Sequence, residues 1–149
     1  MSLAVDVASD GVRAPLSKAA VAAIARATLR AERVGSAHLS ITFVSARAIA
    51  SLNARWLGHR GPTDVISFQL PAAAPDASLT GDVYIAPEVA RENARAAGLG
   101  TREELARLVV HGTLHVVGHD HPEGDARLRS PMWRRQEQLV TRTAREWRR

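Results

Sequence analysis

The sequence predicts an α+β fold, a single domain over residues 1–149 with a small mixed sheet of about four strands covered by helices. Three observations lead there. Short alternating, β-branched segments recur between longer helical stretches. The gap between two of those segments, 63–68 and 81–86, is of hairpin length and allows an antiparallel pair, which favours a mixed sheet. The composition, 46% hydrophobic and 23% charged over 149 residues, is that of a chain long enough to bury a core without staples.

Taken in order, residues 3–7 (LAVDV) alternate apolar and polar and read as the first strand. Pro15 precedes an Ala-rich helix over 16–33, with Leu16, Ala20, Ala23, Ile24 and Ala27 on one face. Gly35 and Ser36 end it. Residues 38–44 (HLSITFV) read as a strand, and 46–57 as a helix ended by Gly58. The loop HRGP leads into the strand 63–68 (TDVISF). Residues 71–80 (PAAAPDASLT) read as the longest irregular connection. GDVYIA, 81–86, is the fourth strand. Pro87 opens a helix that Gly98 closes. Thr101 and Glu104 read as a capping box for a helix running to about Gly118. The last helix is expected over about 125–147, with Leu128, Met132, Leu139, Val140, Thr143 and Trp147 on its inner face.

Several function classes fall away at once. There is no Cys, so disulfides, thiolate zinc sites and Cys nucleophiles are excluded. No apolar run approaches the ~18 residues of a membrane span. The start, MSLAVDVASDG, has no basic segment before its short apolar stretch, so no signal peptide is expected and the cytoplasm is the default. The net charge of +5, with 19 Arg and only Lys18 as lysine, favours an anionic partner.

The informative segment is HGTLHVVGHDH, 111–121, which holds four of the six histidines. His111 and His115 lie four apart, so a helix projects both from one face about 6 Å apart along its axis. Gly118 frees the chain to turn, and His121 can then swing back toward the first two. Three nitrogen ligands with an open fourth position is the layout of a catalytic zinc, whereas structural zinc sites are closed by four. Leu105, Leu108, Val109, Gly112 and Val116 anchor this helix in the core, which places the metal site at the end of a core helix. His119 takes a supporting or loop role. Asp120 is either an acceptor for a ligand imidazole or a local cap.

The spacing matches the metzincin peptidases, H-E-x-x-H-x-x-G-x-x-H, except that Gly112 replaces their general-base Glu. Losing such a base costs about 10²–10⁴ in rate, which counts against peptide hydrolysis. Phosphodiester cleavage depends more on stabilising charge on phosphoryl oxygens, which a zinc ion and Arg supply.

HGTLHVVGHDH resembles the H-G-x-L-H-x-x-G-x-D-H signature of the YbeY family of bacterial endoribonucleases. LNARWLGHRGPTDVISF, 52–68, is similar to the family's Leu-Asn segment and its Pro-Thr-Asp-Val-Leu-Ser-Phe strand. GDVYIAPEVARENA, 81–94, is similar to its Gly-Asp-Ile-x-Ile strand and following helix. The resemblance implies one Zn²⁺ ion held by His111, His115 and His121 in a single α+β domain. It implies a single-strand-specific endoribonuclease acting on RNA in rRNA processing, ribosome maturation and quality control. Ribosomal particles or ribosome-associated proteins are then the expected partners, with no membrane and no DNA. Two other readings remain: a non-catalytic, zinc-stabilised assembly factor, and a metal hydrolase of small substrates.

Many family members carry Arg after the aromatic of the Leu-Asn segment, where this chain has Leu57 after Trp56. Arg60, in the loop before strand 63–68, is the candidate substrate-phosphate contact; a solvated loop Arg is the alternative. Thr63 and Asp64 read as turn residues. The eight Arg at 127, 129, 134, 135, 142, 145, 148 and 149 form either a solvated face or a track for an RNA backbone.

Overall fold

The computed structural model describes residues 2–71 and 77–148. Residues 72–76 of the expected irregular connection, and Arg149 of the basic segment, lie outside the described residues. Four strands form one mixed sheet: β1 (Leu3–Ser9), β2 (Ala37–Phe43), β3 (Val65–Leu70) and β4 (Leu79–Ile85), in the order β1-β2-β4-β3. β1–β2 and β2–β4 are parallel, while β3 runs antiparallel to β4 with Val65 opposite Ile85 and Leu70 opposite Thr80. The mixed α+β sheet expected from the hairpin-length gap is the one observed.

Helix α1 (Lys18–Ala31) crosses over from β1 to β2. Ser17 Oγ accepts the Ala20 N–H and caps it, so the helix starts two residues later than Leu16. α2 (Ala46–Leu52) is capped in the same way by Ser45, and its last turn widens into a π-helical turn, Asn53–Leu57, that ends at Gly58. Asn53 is buried there. Its amide donates to the Gly61 carbonyl at 3.0 Å, which ties down the loop carrying Arg60.

The two faces of the sheet are covered unequally. Alternation along β3 sends Val65 to the larger core and Ile66 to a smaller one beneath α2, with Val44, Ile49 and Ala86. On the larger face lie α1 and α4 (Thr101–Val117), with α5 (Pro131–Arg142) and the short α6 (Ala144–Trp147) packed behind them. α4 comes very close to the sheet. A Cβ at Gly112 would sit 2.6 Å from Val83 Cγ1, and one at Gly81 would sit 2.4 Å from Val116 Cγ1. Both glycines are therefore there for backbone approach. α3 (Pro87–Ala97) flanks α4.

Four expectations change. Strand β3 starts at Val65, because Asp64 turns its side chain toward Asn93 of α3 while its carbonyl still accepts from Ala86. β4 begins at Leu79, inside the stretch read as irregular. The N-cap of α4 is Gly100, not Thr101, and no side chain caps it; the Glu104 carboxylate is engaged by Arg107 instead. The terminal helix is not continuous. Residues Gly124–Arg129 form a 3-10 turn, because Pro131 holds Ser130 extended (φ −78°, ψ 156°) and Ser130 Oγ caps α5 by accepting from Trp133 N–H. Leu128 is consequently exposed, whereas Met132, Leu139, Val140, Thr143 and Trp147 are buried as expected.

Candidate metal centre

Helix α4 ends in a Schellman turn: His119 N–H donates to the Leu114 carbonyl and Gly118 N–H to that of His115, with Gly118 at φ 122°. A side chain would strain that backbone. The reversal brings His121 back over the last turn of α4. One nitrogen each of His111, His115 and His121 lies within 4.8 Å of the others. Their ring centroids stand 4.6, 5.2 and 5.0 Å apart. This is the one such cluster among the described residues.

The opposite edge of each ring is tied down. His115 Nδ1 donates to the His119 carbonyl and His121 Nδ1 to the Pro122 carbonyl, both at 2.9 Å. A carbonyl can only accept, so both rings carry their proton on Nδ1. For His111 the partner is Gln136 Oε1 at 2.7 Å. Gln136 is 1% exposed, and its amide nitrogen donates to Glu137 Oε2 at 3.0 Å. The carboxylate holds the amide in that orientation, so its oxygen faces His111 and that ring too is protonated on Nδ1. All three Nε2 lone pairs are left for the centre of the cluster.

Electrostatics agree. Burial pushes His111 down to about 4; the charges of His115, His121 and Arg127 act the same way, against the Gln136 bond. His115 is likewise lowered, first by burial and then by His121. Neutral imidazoles are what a metal requires, and three converging neutral nitrogens fit a divalent ion such as zinc.

Supporting groups come from distant segments. Glu137 is bound by Arg107, which also holds Glu103 and Glu104 at 2.8–3.1 Å. Burial raises the Glu137 carboxyl, but Arg107 and Gln136 outweigh it and hold it below the ordinary range. His119 points away from the cluster; its Nε2 bonds Glu32, at the end of α1, and Glu32 is bound in turn by Arg135 at 2.7 Å. Asp120 is a local cap, its Oδ1 accepting from His121 N–H. A cavity of about 490 Å³ opens beside His111, lined among others by Asp64, Asn93, Glu104, Arg127 and Trp133. Burial raises the carboxyls of both Asp64 and Glu104.

Arg60 is exposed in the loop before β3 and does not line this cavity; Arg127 does. The Arg-rich segment is divided. Arg135 is held by Glu32 and the Ala31 carbonyl, and Arg134 by the Arg129 carbonyl. Sequence reasoning missed Gln136, Asn93, Trp133 and the cavity side of Asp64. A signal existed for Gln136, a polar residue on the stripe of Met132, Leu139 and Val140, since a polar group on a buried face needs a buried partner.

The family model described as Endoribonuclease YbeY matches residues 7–144. The chain belongs to the YbeY family. A relative from Beutenbergia cavernae, named endoribonuclease YbeY, is 45% identical over 118 residues, covering 74% of this chain and 79% of its own. Another so named, from Frankia casuarinae, is 39% identical over 93% of this chain and 73% of its own. The solution structure of a Thermotoga maritima protein superposes with a TM-score of 0.64 at 28% identity, covering 97% of this chain and 91% of that one. The α+β fold with its histidine cluster is thus the setting of a YbeY family member. Among the described residues no helix is long and apolar enough to cross a membrane.

Proposed function

We propose that this chain is a zinc-dependent endoribonuclease that cuts single-stranded RNA, with one ion held by the Nε2 atoms of His111, His115 and His121. The carrying observation is the convergence of those three nitrogens within 4.8 Å, each ring fixed from behind by an acceptor. Membership of the YbeY family, whose relatives are named endoribonucleases, supports RNA as the substrate. A bound zinc ion supplies Lewis acidity toward a phosphoryl oxygen.

The chain's own residues do the rest. Gln136 and the carbonyls of His119 and Pro122 hold the imidazoles in one tautomer. Arg127, which lines the cavity together with His111, neutralises phosphate, and Arg60 contacts the backbone of RNA reaching the β3 loop. Gly112 cannot be replaced by the peptidase Glu without displacing Val83, which supports phosphodiester over peptide chemistry. In the cell the role is rRNA processing, maturation and quality control of ribosomal particles, in the cytoplasm, and the whole chain acts as one ribonuclease domain.

The test is zinc content and RNA cleavage measured together on wild type and His115→Ala. The variant loses both while keeping its helical circular dichroism. Cleavage by zinc-free protein would overturn the reading. A collapse of the fold on chelation would instead indicate a folding clip.

A further inference from the structure

The cavity beside His111 has a composition that metal binding does not explain. Its lining includes the half-buried Trp133 indole and the apolar side chains of Leu99 and Leu108. The same lining carries several acceptors. The Asp64 carboxylate is bonded by the backbone N–H groups of Asp64 and Val65 and, at 3.3 Å, by the Asn93 amide nitrogen, a bond that leaves the Asn93 carbonyl as a further acceptor. Glu104 uses one carboxylate oxygen on Arg107. Of the two arginines in the lining, Arg107 spends four of its five N–H donors on Glu103, Glu104 and Glu137, which leaves one N–H of its Nη1. Arg127 also lines the cavity; its guanidinium has no hydrogen-bond partner among the described residues, and its charge acts on Asp64.

An indole and acceptors lining one cavity suit a flat ligand that carries N–H donors on its edge. Unpaired RNA bases are read in this way, by stacking on an aromatic side chain and bonding along the Watson–Crick edge. Of the four bases only guanine presents two adjacent donors, the ring N1–H and the exocyclic N2–H, which match the two oxygens of one carboxylate. Adenine and cytosine offer one amino group beside an acceptor, and uracil one N–H between two carbonyls. The volume of about 490 Å³ exceeds what one base needs and leaves room for its sugar. His111 and Arg127 line the same cavity, so a base seated here has its own phosphate within reach of the edge of the histidine cluster and Arg127.

We propose that this cavity is a base-recognition subsite for an unpaired guanine, with Asp64 and Asn93 reading its donor edge, Trp133 stacking on it and Arg127 holding its phosphate. The proposal rests on the ribonuclease reading for its biological meaning but is testable apart from it. Binding of guanosine 5′-monophosphate and adenosine 5′-monophosphate to the full-length protein is compared by calorimetry. The guanine nucleotide binds about tenfold or more tightly, the discrimination typical of a two-bond base contact. Asp64→Asn replaces one acceptor oxygen by a donor and removes that preference. Trp133→Ala weakens both nucleotides about tenfold; Trp133→Phe, which keeps a stacking face if the smaller side chain disturbs the fold, retains most of the binding. Equal affinity for the two nucleotides, or a preference unaltered by Asp64→Asn, overturns the subsite. On single-stranded RNA, the zinc-loaded protein cuts next to guanine. Cutting without base preference refutes the subsite and leaves the ribonuclease reading standing, whereas guanine-selective binding without any cutting refutes the ribonuclease reading and leaves the subsite.

Discussion

Gln136 is the residue on which the chemistry of the cluster depends without touching its centre. Gln136→Met keeps the shape of a long unbranched side chain and removes both polar ends. The buried His111 Nδ1–H then loses its acceptor at 2.7 Å, and Glu137 loses one of its donors at 3.0 Å while keeping Arg107. An orphaned buried donor costs about 1–3 kcal/mol. His111 recovers part of that by moving its proton to Nε2, the atom the metal needs. Zinc affinity should therefore fall about 10–100-fold, the usual effect of losing the partner behind a ligand imidazole, equivalent to about 1.4–2.7 kcal/mol. The assay is zinc competition against a chelating dye, with the melting temperature of the metal-free protein measured in parallel. Wild-type zinc affinity in a folded Gln136→Met protein would refute the claim that Gln136 sets the tautomer of His111.

Gly112→Ala should destabilise by about 1–3 kcal/mol, because its Cβ would meet Val83 Cγ1 at 2.6 Å; denaturant unfolding checks this, and Val83→Ala in the same chain should restore much of the loss. For Glu32, burial raises the carboxyl, but the bonds and charges of Arg135 and His119 prevail and hold it below its ordinary 4.5. Its contribution to stability is therefore present above that value and lost as the pH falls through the depressed one. Glu32→Gln should flatten the acid side of the stability profile, and an unchanged slope would contradict this. Arg107→Met leaves Glu103, Glu104 and Glu137 facing one another half-buried; a loss of about 3 kcal/mol or more is expected in unfolding experiments, as for removing one side of a buried pair.

How far the sequence could be read depended on the range of each interaction. His111 and His115 are one helical turn apart, and Gly118 marks the reversal, so local rules were enough to bring the three rings onto one side. The mixed sheet followed from a single short connection. What escaped was set at long range. Gln136 meets His111 across 25 residues, and Asn93 meets Asp64 across 29. Nothing in either segment alone announces its partner. The break at Ser130–Pro131 was a different matter: a serine cap followed by proline is a local start signal, and it was outweighed by the apolar stripe on either side. Thr101 and Glu104 failed as a capping box because Arg107, one turn on, offers the Glu104 carboxylate a stronger partner than a backbone N–H.

Zinc dependence is decided by stripping the wild-type protein of metal and titrating zinc back while following cleavage of a single-stranded RNA. Cleavage should disappear on stripping, with helical content largely kept, and return in proportion to zinc until one ion per chain is bound. Undiminished cleavage by the stripped protein, or a return that needs more than one ion per chain, would contradict it.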